Sequence, residues 1–195
     1  MAIDDLPEFI SSHYEVHEWK HALAILRGDF HDEWIDLIEV LTSFRLTKGD
    51  ILSPGGGKSN IAQMIDESFY SKGWREKAFD TSIVIDGIEH KSPTHKIDCF
   101  KNRIALETEW NNKDPFFDRD LNNFRLLFDV RAISVGVIIT RCDSLQQIFD
   151  ELGKGSSYGS STTHMSKLIP RIEGGGGGGC PTLIIGIGRA LYVSD

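Results

Sequence analysis

Apolar residues along this chain recur at two periods, and the switches between them mark out the elements. Trp19, Leu23 and Leu26, then Trp34, Leu37, Ile38 and Leu41, fall at helical spacing, so His17 to Phe44 reads as two helices broken at Gly28-Asp29. A stripe of Ile61, Met64, Ile65 and Phe69 predicts a helix from Ile61 to about Lys72, stopped by Gly73. Ile83, Ile85 and Ile88 suggest a strand. The string from Lys96 to Trp110 reads as two strands joined by the polar turn Lys101-Asn102-Arg103. Leu121, Phe124, Leu127 and Phe128 predict a helix from Asp118 to about Phe128. Ala132 to Thr140 is a nearly continuous β-branched run, the pattern of a strand buried on both faces. Helices over Ser144 to Leu152 and Met165 to Ile172 enclose a polar stretch, Gly153 to His164, and Thr182 to Ile187 is a second buried strand. Helices alternating with strands predict an α/β fold, a mixed central sheet flanked by helices.

Composition narrows the class. The 195 residues, 40% hydrophobic, suit one domain spanning 1–195, with a helical N-terminal part over 1–50 and the core over 51–195. No apolar run reaches about 18 residues, and Met1 to Leu6 lacks the basic-then-apolar layout of a secretion signal. A soluble, cytoplasmic protein with no membrane partner is expected. Cys99, Cys142 and Cys180 are odd in number and far apart, so reduced buried thiols are expected, with neither zinc nor a disulfide framework. A net charge of −8 argues against a general nucleic-acid coating protein but leaves a nuclease open, because the 21 Lys and Arg can line one cleft. Gly174 to Gly179 form either a flexible tether or a loop that approaches something closely.

The chemistry concentrates in one string. Asp98 precedes Glu107 and Glu109, which share one face of their strand because side chains alternate. If the turn brings Asp98 beside that face, three carboxylates converge. Each would be driven toward protonation unless a cation neutralised them. Oxygen ligands at that density suit Mg²⁺, which keeps several waters and takes the rest of its shell from carboxylates and substrate phosphate. That composition describes a phosphodiester-cleaving site, and an ordinary solvated strand face is the bland reading of the same residues. A second string, Ser53-Pro54-Gly55-Gly56-Gly57-Lys58-Ser59, superficially matches a phosphate-binding loop but has Leu52 where that motif needs glycine. It reads instead as a flexible loop opening a helix capped by Ser59 or Asn60.

Taken in order, Trp74-Arg75-Glu76-Lys77, Ile97-Asp98, Glu107-Thr108-Glu109, then a helix, an apolar strand, a polar loop and a strand from Pro181 to Ile187 resemble the type II restriction endonucleases of the BamHI, BglII and BstYI group. These share the PD-(D/E)XK nuclease fold. The resemblance runs from about residue 50 to 188 and implies a Mg²⁺-dependent homodimer that cuts double-stranded DNA at a palindromic site. It implies that Asp98 and Glu107 hold the metal with the Thr108 carbonyl, that Glu109 prepares the attacking water where most members carry Lys, and that Glu76 is an additional catalytic acid. The chain has no Pro-Asp dipeptide, and Glu109 is neither Lys nor the Gln of BglII. Arg75 and Lys77 are phosphate contacts or a solvated helix end.

Base reading is expected just after the catalytic strand, where Asn111, Asn112 and Lys113 carry groups that pair with adenine or guanine edges. An Asn-rich turn is the alternative. Arg119 faces DNA or makes a surface salt bridge. The stretch 153–164, with Ser160, Ser161, Thr162, Thr163 and His164, occupies the place of a family recognition loop, or is a linker. Two other functions share parts of this pattern: a repair or recombination nuclease that recognises a DNA structure, and a non-catalytic DNA-binding module.

Overall fold

The computed structural model describes residues 6–54 and 57–194; Met1 to Asp5 and Gly55-Gly56, on which the leader and glycine-loop readings partly rest, lie outside the described residues. The chain begins with α1 (Glu8–His13), β1 (Tyr14–Trp19), α2 (Ala22–Asp29), α3 (His31–Ser43), β2 (Leu46–Thr47), α4 (Lys48–Leu52) and α5 (Asn60–Ser71). It continues through β3 (Arg75–Lys77), β4 (Asp80–Ile85), β5 (Ile88–Pro93), β6 (Ile97–Lys101) and β7 (Ile104–Glu109). Then follow α6 (Pro115–Asp129), β8 (Val135–Arg141), α7 (Gln146–Glu151), α8 (Met165–Glu173), β9 (Thr182–Ile187) and β10 (Tyr192–Val193).

Six strands form one mixed sheet in the order β1-β9-β8-β7-β6-β3. Its middle, β7-β8-β9, is parallel, while β1, β6 and β3 pair antiparallel with their neighbours. Every residue of β7, β8 and β9 is buried, as expected of strands covered by helices on both faces. One face packs Leu106, Val137, Ile139, Leu183 and Ile185 against the N-terminal helices and α5. The other packs Ala105, Ile138 and Ile184 against Phe117, Leu121 and Phe124 of α6 and Leu168 of α8.

Several elements follow the apolar pattern closely. Ser59 caps α5, its hydroxyl accepting from the Ala62 amide, and Gly73 ends that helix with φ at +90°. The turn between β6 and β7 holds Asn102 and Arg103 at positive φ, the geometry a two-residue hairpin requires. The glycine run settles as the close-approach alternative: a Cβ on Gly178 would lie 2.7 Å from Arg125, and one on Gly176 2.9 Å from the Arg171 carbonyl oxygen.

Three expectations are corrected. Residues 17–19 are strand rather than helix, because Val16, His17 and Trp19 pair with Ile185, Ile184 and Thr182. Thus the N-terminal part is not purely helical but supplies an edge strand. Ile83, Ile85 and Ile88 do not share one buried strand. Asp86 and Gly87, both at positive φ, turn the chain between them, and β4 and β5 make a separate two-stranded sheet whose Ile83, Val84, Ile85 and Ile88 are exposed. Trp74 to Lys77 lead into β3, a sheet edge rather than a helix end, with Trp74 buried and its indole donating to Asp36 at 2.8 Å.

The tightest inter-layer approach predicts a stability effect. A Cβ on Gly136 of β8 would fall 2.3 Å from the Phe124 ring. We expect Gly136→Ala to destabilise the fold by about 1–3 kcal/mol, the usual cost of overpacking, as a lower urea midpoint. An unchanged midpoint would show that the ring yields freely.

Candidate active site

The site is made where β6 and β7 part. Their ladder pairs Cys99 with Leu106, Phe100 with Ala105 and Lys101 with Ile104, and extends no further. Beyond it, side-chain carboxylates take over the main-chain donors: the Asp98 amide donates to Glu107 Oε2 at 3.2 Å, and the Thr108 amide to Asp98 Oδ2 at 3.3 Å. In an extended strand a residue's N–H and C=O point the same way, so the Thr108 carbonyl also faces Asp98. The structure thus brings Asp98, Glu107 and the Thr108 main chain together.

On the α5 side of this opening lies a residue the sequence reading missed. Asp66 is buried on the apolar stripe of α5 with Ile65 and Phe69. Its Oδ1 accepts from the Thr108 hydroxyl at 3.0 Å, and it is ion-paired with Lys58. Lys58 also reaches Asp98 Oδ1 at 3.2 Å. Burial raises the Asp66 pKa, as does the Asp98 charge, while Lys58 and Thr108 pull it back. Burial works against the Lys58 ammonium, yet its bond to Asp66 and the charge of Asp98 raise its pKa all the same. An acid on an otherwise apolar helical stripe is the signal that could have revealed Asp66.

On the α6 side, Glu107 and Glu109 share a face with Asp120, and all three are at most 1% exposed. Glu107 is pushed well above the usual carboxylate range by burial, then by Asp120 and Asp98, and its Oε1 has no hydrogen-bond partner among the described residues. Burial followed by the Asp120 charge raises Glu109 from 4.5 to about 9. Asp120 rises to about 6 through burial, opposed by Arg119. Asp120 Oδ2 has no hydrogen-bond partner among the described residues, and burial beside it favours the protonated form of Glu109. Arg119 spans them, at 3.0 Å from Glu109 and 2.7 Å from Asp120. Asp120 too sits on a helical apolar stripe, with Phe117, Leu121 and Phe124.

The remaining expected residues fall elsewhere. Glu76 is exposed on the β3 edge and paired with Lys96 at 2.9 Å; the structure does not bring it to the other acids. The Asn112 side-chain amide turns inward, its Nδ2 donating to Glu109 Oε2 at 2.7 Å, instead of outward to a base. Asn111, at positive φ, is half-buried, with its side-chain oxygen unpaired. Arg119 serves the acid pair and covers the Phe116 ring at 4.2 Å. Much of the expected recognition loop is internal. Thr162 receives Arg141 at 2.9 Å, Thr163 accepts from the Asn112 amide at 3.1 Å, and His164 pairs with Asp143 at 2.8 Å, all three buried. Lys113, Ser160 and Ser161 are exposed.

A cavity of about 280 Å³ gathers this chemistry, lined by Lys58, His95, Asp98, Thr108, Glu109 and Arg119. Among the described residues no three His, Cys, Asp or Glu side chains are gathered closely enough to hold a metal ion. The reason is visible in the contacts: Lys58 occupies the space between Asp66 and Asp98, and Glu107 leans on the Asp98 amide. No helix among the described residues is long and apolar enough to cross a membrane. In comparison with known proteins, residues 14–187 match the model of the family described as restriction endonuclease BglII/BglIII. No curated protein matches the chain.

The raised acids predict an unusual pH dependence. Glu109 binds its proton more tightly folded than unfolded, so its stabilising contribution is complete below pH 4.5 and is lost as pH rises through about 9. Metal-free protein should therefore melt at progressively lower temperature across that window. Glu109→Gln, neutral throughout, should flatten the slope by up to one proton, roughly 1.4 kcal/mol per pH unit. Parallel slopes for both proteins would rule out a proton on Glu109.

Proposed function

Since the chain belongs to the BglII/BglIII restriction endonuclease family, and is therefore a sequence-specific DNA endonuclease, we propose that it hydrolyses phosphodiester bonds with Mg²⁺ as a homodimer acting on a palindromic site, the whole chain working as one domain. The observation that carries the metal assignment is Glu107: a fully buried carboxylate with one oxygen unpartnered, beside Asp98 and the main chain of Thr108. A buried unpaired acid is costly, and a divalent cation is the group that removes that cost. These donors fit the ion, being all oxygen and mostly anionic. Asp98, Glu107 and the Thr108 carbonyl would hold it; when bound it supplies charge neutralisation at the phosphate and lowers the pKa of water.

The chain's own residues supply the rest. Glu109 orients the attacking water and accepts its proton once its own has been shed, and Asp120 is the neighbour that takes part in that exchange. Asn112 and Arg119 fix the Glu109 carboxylate through one oxygen each, so they are positioning residues. Base reading then falls to the exposed groups beside the site, Lys113, Ser160 and Ser161, which adjoin because Lys113 bridges to Thr162 and the Asp114 amide donates to the Ser161 carbonyl.

Digestion of a plasmid of known sequence with Mg²⁺, then with EDTA, tests this reading. Discrete fragments whose mapped ends share a two-fold symmetric sequence are expected with Mg²⁺ and none with EDTA. Cleavage at DNA structures instead of at a sequence would transfer the chain to repair-type nucleases. Asp98→Asn should remove cleavage while retaining DNA binding in a gel shift, and Glu109→Gln should slow the single-turnover rate by roughly 10²–10⁴. Full cleavage by Asp98→Asn would remove the metal assignment.

A further inference from the structure

We propose that Lys58 is a built-in stand-in for the divalent cation: in the metal-free enzyme its ammonium neutralises the Asp66–Asp98 pair, and metal entry and Lys58 withdrawal are a single exchange. The inference rests on the metal site proposed above. Three observations support it. Lys58 bridges two carboxylates from different elements, Asp66 of α5 and Asp98 of β6, and both also touch Thr108, through its hydroxyl and its amide respectively. The ammonium thus lies against Asp98, one of the proposed ligands, and against Asp66 on the α5 side of the same opening. Asp66 is almost wholly buried, its side chain 2% exposed, so its charge needs a neighbouring cation when no metal is present. The Lys58 side chain is 42% exposed on the loop just before the Ser59 cap, so it can leave without unpacking the core.

The loop that carries Lys58 is the glycine-rich string whose similarity to a phosphate-binding loop fails at Leu52. Its lysine is aimed at carboxylates rather than at a nucleotide. Two consequences separate this role from a merely structural ion pair. A resident ammonium competes with any divalent ion for the same oxygens, so removing it tightens metal binding. It also keeps the cleft from repelling DNA, since phosphates approaching uncompensated carboxylates meet like charge. Removing it therefore weakens DNA binding in the absence of metal. A structural pair would move neither quantity.

The test uses the full-length protein and two variants, Lys58→Met and Lys58→Gln, with folding verified by thermal melting. Mn²⁺ binding without DNA is followed by the electron paramagnetic resonance signal of the free ion, and binding of a random-sequence duplex is followed by gel shift in EDTA. Both variants are expected to bind Mn²⁺ about tenfold more tightly than the native chain, in line with loss of a competing unit charge at close range, and to bind the duplex more weakly in EDTA. Unchanged Mn²⁺ affinity in folded variants overturns the exchange, and so does unchanged duplex affinity in EDTA. If one variant fails to fold, the other decides. If the native chain and both variants bind no Mn²⁺ and cleavage persists in EDTA, the metal site itself is wrong and this inference falls with it. Native metal-dependent cleavage with unaltered variants defeats the Lys58 role alone.

Discussion

Five carboxyl groups, Asp66, Asp98, Glu107, Glu109 and Asp120, are held around one parted pair of strands, and the charge that this concentrates governs the rest of the site. Lys58 answers it on the α5 side and Arg119 on the α6 side. Glu107 and Glu109 rise so far first because burial disfavours their charged forms and then because the neighbouring acids repel them. The metal ion proposed above would replace that desolvated charge repulsion with coordination.

The sheet makes that concentration tolerable. β7 is paired on one side along its whole length with β8, whose other edge holds β9, and all three are buried under helices. Glu107 and Glu109 therefore cannot swing out to water to relieve their repulsion. The other edge of β7 is the flexible choice. Pairing with β6 stops after Cys99 and Leu106, and the freed amides of Asp98 and Thr108 are satisfied by carboxylates, so the opening leaves no main-chain donor stranded. Asp66 and Asp120 reach the opening from helices on opposite faces, so both layers depend on it.

The segment beyond β7 is organised by a different interaction. Arg141, at the end of β8, is buried beside the Phe149 and Tyr158 rings, its guanidinium 5.5 and 5.7 Å from their centroids, and donates to the Tyr158 carbonyl and the Thr162 hydroxyl, each at 2.9 Å. Those rings stack at 3.9 Å, with Trp110 edge-on to both. This aromatic and guanidinium cluster fixes residues 158–163 against 112–114 and leaves Ser160 and Ser161 at the surface. Buried Thr162, Thr163 and His164 thereby support the exposed edge at Ser160 and Ser161, with their polar groups committed inside the protein.

Periodicity and turn chemistry determined much of this protein from the chain alone. The buried strands near 135–141 and 182–187, the hairpin through Asn102-Arg103, and the helices after Ser59 and over Asp118 to Phe128 follow from local pattern, and the hairpin made a meeting of Asp98 with Glu107 open to expectation. Local pattern is sufficient there because a strand's alternation and a two-residue turn dictate which side chains face each other. Only the tertiary structure decided which further acids join them. Asp66 and Asp120 stand out in the sequence only as acids on apolar helical stripes, which does not say what they meet, and Glu76, adjacent to a plausible motif, belongs to an edge strand that carries it to Lys96. Whether a carboxylate becomes catalytic or solvated depends on which face of which neighbour it meets. That choice is made by packing between segments distant in the chain, as Lys58, Asp66 and Asp98 show, and no window of sequence contains it.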